Sequence, residues 1–138
     1  MTQLKKIGFM QGRLSPTENN KIQFFPEKNW KSEFLLASKI GLKNMEWTLD
    51  YKNLYKNPIF LKKGRKKIKE LSKKYNVKIQ SLTGDCFMQK PFWKNKNSKK
   101  YIEDLKNIIK ACASLKIKYI IFPLVDNSSI KMKMRKIE

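Results

Sequence analysis

Residues 98–126 read SKKYIEDLKNIIKACASLKIKYIIFPLVD. In the first part Tyr101, Leu105, Ile108, Cys112 and Leu115 recur at spacings of 4, 3, 4 and 3, the period of one helix face, and Ser98 offers an N-cap hydroxyl. The second part, 117–126, is nearly continuous in Ile, Phe, Leu and Val, the pattern of a parallel strand buried on both faces. Pro123 falls near its end, where a missing ladder donor costs least. A helix running directly into such a strand is one step of a β/α alternation.

The same step recurs upstream. Residues 6–10, KIGFM, form a first strand that breaks at QGRLSP, where Gly12 and Pro16 open a loop running through Asn19, Asn20 and Pro26. A helix is predicted over 29–41, with Asn29 as N-cap, Trp30, Phe34, Ala37 and Ile40 on one face, and Gly41 just past the end. Residues 43–50, KNMEWTLD, give a second strand, followed by a long connector, 51–64, punctuated by Asn57-Pro58. A second helix, 64–76, places Ile68, Leu71 and Tyr75 on its apolar side, and Asn76 can take the left-handed position that ends it. The third strand, 77–85, runs into a Pro-, Trp- and Asn-containing stretch, 86–98, that reads as a second long loop.

Four strand and helix steps occupy about half of the roughly 250 residues of a complete (β/α)8 barrel. The expected fold is therefore α/β, with residues 1–138 as one domain: a partial (β/α)8 TIM barrel of about four β-α units with parallel strands. A doubly wound four-stranded sheet is the alternative. No G-x-G-x-x-G or G-x-x-x-x-G-K motif follows any strand to support nucleotide binding in it.

A hydrophobic content of 41% places the chain in the globular class, and a formal charge of +21 raises polyanions as partners. The cations are spread along the chain, however, and once Arg13, Arg65 and Arg135 are set aside the other 29 of the 32 are lysines. Lysine is the residue of solvated faces, whereas bidentate phosphate and guanine recognition favours arginine, so nucleic acid is not the expected partner. No stretch approaches the roughly 20 apolar residues of a membrane span, and no signal-peptide core follows residues 1–6. A cytoplasmic protein with no membrane partner is expected. Cys86 and Cys112 form no CxxC pair and the chain has no histidine, so both read as reduced thiols packed as small hydrophobes, and no zinc site is expected.

In a parallel β/α barrel the chemistry sits at the C-terminal ends of the strands. The polar residues there are Gln11 and Arg13 after the first strand, Glu46 and Asp50 on the second, Asp85 with Cys86 after the third, and Asp126, Asn127 and Ser128 after the fourth. Arg13 offers a rigid fork of donors for a hydroxyl or phosphate, or else an ion pair to Glu46 or Asp85. Glu46 interrupts an apolar strand, and a buried carboxylate needs either a partner or a function. Asp85 after Gly84 suits a general base or a group that orients a substrate hydroxyl, or a turn. Asp126 to Ser128 suit a helix cap as well as a site. Trp30, Trp47 and Trp93 read as core or loop anchors, with Trp93 also in the right loop to stack on a sugar.

Three segments, IGFMQGRLSP, IQFFPEKNWKSEF with the following IGLKNMEW, and FPLVDNSSI, together resemble bacterial sugar phosphate isomerase/epimerases of the xylose-isomerase-like barrel group. The resemblance covers residues 6–130 and implies a metal-dependent proton transfer between adjacent carbons of a sugar or sugar phosphate. In that family a divalent cation (Mn, Mg, Co or Zn) is held by acidic residues and a histidine, mainly from strands five to eight. The resemblance therefore implies no metal for this fragment alone and assigns no residue here to proton transfer. It carries over Gln11, Arg13, Glu46 and Asp85 as substrate-binding groups on the first-half wall of a pocket.

The tail supplies a further expectation. Shifting residues 132–138 by one base through AT-rich codons gives NENEENR, a better start to a polar helix, so 131–138 reads as a frameshifted tail on a truncated chain. Two other readings stand beside the isomerase: an endonuclease for abasic sites, which shares this barrel type, and a noncatalytic half-barrel that completes itself by association through its open edges.

Overall fold

A computed structural model describes residues 7–18 and 20–130, so Lys6 of the first strand, Asn19 of the first loop and the tail 131–138 lie outside the described residues. Four strands, β1 (Gly8–Met10), β2 (Asn44–Thr48), β3 (Lys78–Thr83) and β4 (Tyr119–Ile121), form one sheet in the order β1-β2-β3-β4, every pair parallel. Between them lie α1 (Trp30–Lys39), α2 (Lys62–Tyr75), the short α3 (Asp85–Gln89) and α4 (Ser98–Leu115). The strand order never reverses, whereas a doubly wound sheet needs a reversal to place helices on both faces. Accordingly α1 packs on α2 and α2 on α4, so the three long helices share one face of the sheet.

That face holds the core. Trp47, Phe34, Met45, Ile68, Leu82, Ile108 and Val77 are fully enclosed, and Trp30 meets both Phe34 and Trp47 edge to face. Burying so many large apolar side chains on one side supplies most of the driving force for this sheet to form. The opposite face is open: Gly8, Met10, Asn44, Glu46, Ser81 and Tyr119 line a trough of about 640 Å³ on it. Among the described residues no helix is long and apolar enough to cross a membrane.

Several elements depart from the pattern expected of the sequence. The fourth strand is not buried on both faces; Tyr119 is 62% and Ile121 40% exposed, because Tyr119 lies on the open face and, among the described residues, β4 has only β3 beside it. On α1, Ile40 lies in solvent and Glu33 takes its place on the buried face. Neither Asn29 nor Ser98 caps a helix through its side chain; α4 begins at Ser98 itself. The stretch 86–98 opens with α3 rather than continuous loop, and the connector after β2 folds into two 3-10 turns, Leu54–Lys56 and Pro58–Phe60. Asn76 does end α2 in the left-handed conformation, at φ 54°.

Gly64 marks a breaker in sequence yet sits inside the first turn of α2. The reason is contact: a Cβ on Gly64 would lie 2.2 Å from the Pro58 carbonyl oxygen, so the 3-10 turn can press against the helix only if this position has no side chain. Gly to Ala in a helix ordinarily gains up to about 1 kcal/mol. Here Gly64→Ala is expected to lose about 1 to 3 kcal/mol through overpacking, read as a lower urea midpoint at unchanged slope.

Candidate functional site

The C-terminal ends of β1, β2 and β3 meet at one mouth because parallel neighbours end on the same side. Its first support was not apparent from strand-end residues. Glu33, fully buried on α1, turns its carboxylate onto the loop after β1, where it accepts N–H bonds from Gly12 at 2.9 and 3.1 Å and from Leu14 at 3.1 Å. Burial pushes the Glu33 carboxyl up in pKa while these amides pull it back. Gly12, at φ 96° and with no room for a Cβ against the Phe24 carbonyl, makes the bend possible. The loop is thus pinned with Arg13 between two anchored residues and its side chain outside, exposed. A signal for Glu33 existed: it stands between Trp30 and Phe34, inside the apolar stripe, where a carboxylate needs a purpose.

Gln11 is buried at the end of β1. Its backbone N–H donates to the Glu46 carbonyl (2.8 Å), its side-chain oxygen accepts from the Thr48 N–H (3.2 Å), and its Nε2 is buried with no hydrogen-bond partner among the described residues. Glu46 is half-buried on the open face. The register slips between Met45 and Glu46, so that Met45 pairs with Ile79 and Glu46 with Ser81; this bulge puts Ser81 and Thr83 on the same face as Glu46. The Ser81 hydroxyl donates to Glu46 Oε2 at 2.9 Å and the Thr83 hydroxyl to Oε1. Glu46 is therefore held by two hydroxyls, not by the salt bridge that a buried carboxylate in a strand invites.

Asp85 is the first residue of α3 and is 2% exposed. Its Oδ1 accepts from Gln23 Nε2 at 2.5 Å, and Asp50 accepts from the Phe25 N–H and from Gln89 Nε2, both at 2.8 Å. Two strand-end carboxylates thus tie the long loop after β1 across the mouth through Gln23 and the Phe25 N–H, while Gln89 joins Asp50 to α3; strand-end reasoning selected neither glutamine. Burial raises the Asp85 carboxyl to a pKa of about 6; the Gln23 bond opposes this, the nearby Asp50 and Glu46 charges add to it, and Arg13 opposes it. Arg13 lies near enough to be felt by Asp85 but forms no ion pair with it or with Glu46 among the described residues.

The remaining expectations separate. Ser128 caps its own 3-10 turn, accepting from the Val125 N–H and donating to the Val125 and Pro123 carbonyls, while Asn127 Nδ2 reaches the Met88 carbonyl at 3.3 Å. The end of β4 is thus tied to α3. Trp93 packs on Phe92 and Phe122 and donates to the Ser128 carbonyl, as a loop anchor. Cys86 and Cys112 are buried, and burial pushes both thiols up, Cys112 to about 11, which keeps them unreactive. A second cleft of about 530 Å³ adjoins the mouth between the loops after β1 and β2, lined by Lys21, Lys52 and Lys56 as well as Glu18, Glu27 and Asp50.

Among the described residues no group of three or more Cys, Asp or Glu side chains is placed to hold an ion, and the chain has no histidine. The three carboxylates also accept hydrogen bonds from Ser81, Thr83, Phe25, Gln89 and Gln23. What the mouth offers is a free guanidinium, a fixed carboxylate and a carboxyl that exchanges its proton near neutrality, a set suited to gripping and orienting hydroxyl groups.

The raised Asp85 pKa has a consequence for stability. The folded chain holds this proton more tightly than the unfolded one, so stability falls as pH rises from 3.8 to about 6. Asp85→Asn keeps an acceptor for Gln23 and removes the charge. It is expected to be more stable than the parent at pH 7, by about 1 to 2 kcal/mol, with a flattened pH profile in denaturant titrations; an Asn variant that is less stable at pH 7 would contradict the assignment. No family model matches this chain, and no curated protein matches it.

Proposed function

We propose that these four parallel strands and the helices between them are one half of a (β/α)8 barrel of the sugar phosphate isomerase/epimerase kind, and that the mouth binds and orients a sugar or sugar phosphate. The observation that carries this reading is the in-order parallel sheet with Gln11, Arg13, Glu46 and Asp85 at its C-terminal end, the end where such barrels bind substrate. Glu46 and Asp85 accept hydrogen bonds from the substrate's hydroxyl groups, Arg13 grips an oxygen from outside, and the Gln11 amide supplies a donor. Proton transfer with a cation belongs to groups that the described residues do not provide. This half therefore acts through binding and orientation, and alone it is weakly active or inactive.

Amide NMR titration with sugar phosphates from triose to hexose tests the reading. Shifts are expected at Gln11, Arg13, Thr83 and Asp85, with a dissociation constant on the order of 1 mM, weakened about tenfold by Arg13→Ala. Shifts confined to the exposed lysines of α2, with none at the strand ends, would overturn it.

A further inference from the structure

The two outer strands and the two outer helices are where this molecule leaves apolar surface uncovered. Among the described residues β1 and β4 each have one neighbour, so each leaves a three-residue backbone edge unpaired there, at opposite ends of the sheet. Of the long helices, α1 packs on α2, and α4 packs on α2 and on the 3-10 turn Pro58–Phe60. Most of the exposed large apolar residues fall on these elements, with Ile7, Leu35, Leu36 and Ile40 at the β1 and α1 flank, and Ile102, Ile109, Tyr119, Ile121, Leu124, Val125 and Ile130 at the β4 and α4 flank; Ile22, Tyr55 and Leu61 lie on the connecting loops. Between them α2 presents an outer face of Lys62, Lys63, Lys66, Lys67, Lys69, Lys73 and Lys74. Exposed lysines also stand on the flanks, Lys31 and Lys39 on α1 and Lys99, Lys106 and Lys110 on α4.

We infer that the occupant of both flanks is a second copy of this chain, related by a two-fold axis through the middle of the sheet's open face, so that β4 of each copy lies beside β1 of the other. This rests on the half-barrel reading above. An occupant must offer a β4-type flank to β1 and a β1-type flank to β4, and the chain itself carries both. A two-fold axis parallel to the strands keeps all of them parallel, and two four-stranded sheets give the eight strands of a closed barrel. Closure pairs every free edge, converts the trough at Glu46 and Tyr119 into an interior, and sets two mouths around one axis. The high positive charge opposes association at long range, and salt screens it.

Sedimentation equilibrium across a range of salt concentrations reads this directly. A dimer is expected whose association strengthens with added salt, the reverse of an interface held by ion pairs. Leu36→Lys and Ile109→Glu, on opposite flanks and both at exposed positions, should each weaken the dimer at least tenfold while keeping the parent's circular dichroism. Mixed together they should recover it, since one flank pair is then untouched and the other carries opposite charges. Lys66→Glu on α2 should not weaken it. A chain that stays monomeric at high concentration and high salt, or variants whose mixture recovers nothing, would overturn the inference. Sugar-induced shifts at Arg13 and Asp85 in such a monomer would leave the mouth's assignment standing, so the two failures are distinguishable.

Discussion

A parallel sheet wound in chain order can cover only one of its faces. Each crossover must pass over the sheet with the same hand, so each helix lands on the same side, and the other face is left to be enclosed by curvature and further strands. Almost everything in this molecule follows from that constraint. The helix side is where Trp47, Phe34 and Ile108 are buried to exclusion of water, and the bare side is where the polar strand residues Asn44, Glu46 and Ser81 collect.

The buried and half-buried carboxylates around the mouth hold its loops in place. Glu33 holds the loop after β1 by its amides, Asp50 and Asp85 hold the far end of the same loop through Phe25 and Gln23, and Glu46 is fixed by hydroxyls brought over by the bulge. Arg13 is the residue left over, positioned by all of these and bonded in an ion pair to none of them among the described residues. Acids crowded at one end of a strongly basic chain repel one another, and the raised Asp85 pKa is one measure of that crowding on top of burial. Such tension is tolerated where groups are kept for a ligand rather than for stability.

What could be read from the sequence was whatever depends on neighbours along the chain. The 4-3-4-3 spacing in α4, the left-handed Asn76 and the apolar runs of β2 and β3 are local patterns, and they lie where expected. The β4 edge could not be read, because a run such as YIIF is the same whether or not another strand lies beside it; only the sheet order says that Tyr119 and Ile121 face water. The same holds for the mouth. Strand-end logic selected Gln11, Arg13, Glu46 and Asp85, but Gln23, Gln89, Ser81 and Thr83 reach it through a loop fold-back and a one-residue bulge that leave no mark in composition. Gly64 shows the same limit, since its reason is the Pro58 backbone in another element.

The division of faces also separates folding from chemistry. The apolar contacts that order the strands all lie on the helix side, so substitutions at the mouth alter charge and hydrogen bonding without opening the core, and the removal of a mouth carboxylate can stabilise rather than weaken the chain. Conversely, the hydroxyls that fix Glu46 are presented only because the helix-side residues Met45, Trp47 and Leu82 set the pairing of β2 with β3 on either side of the bulge. The core thus determines which polar atoms stand at the mouth, and the loops tied down by Glu33, Asp50 and Asp85 determine how far a ligand can reach them.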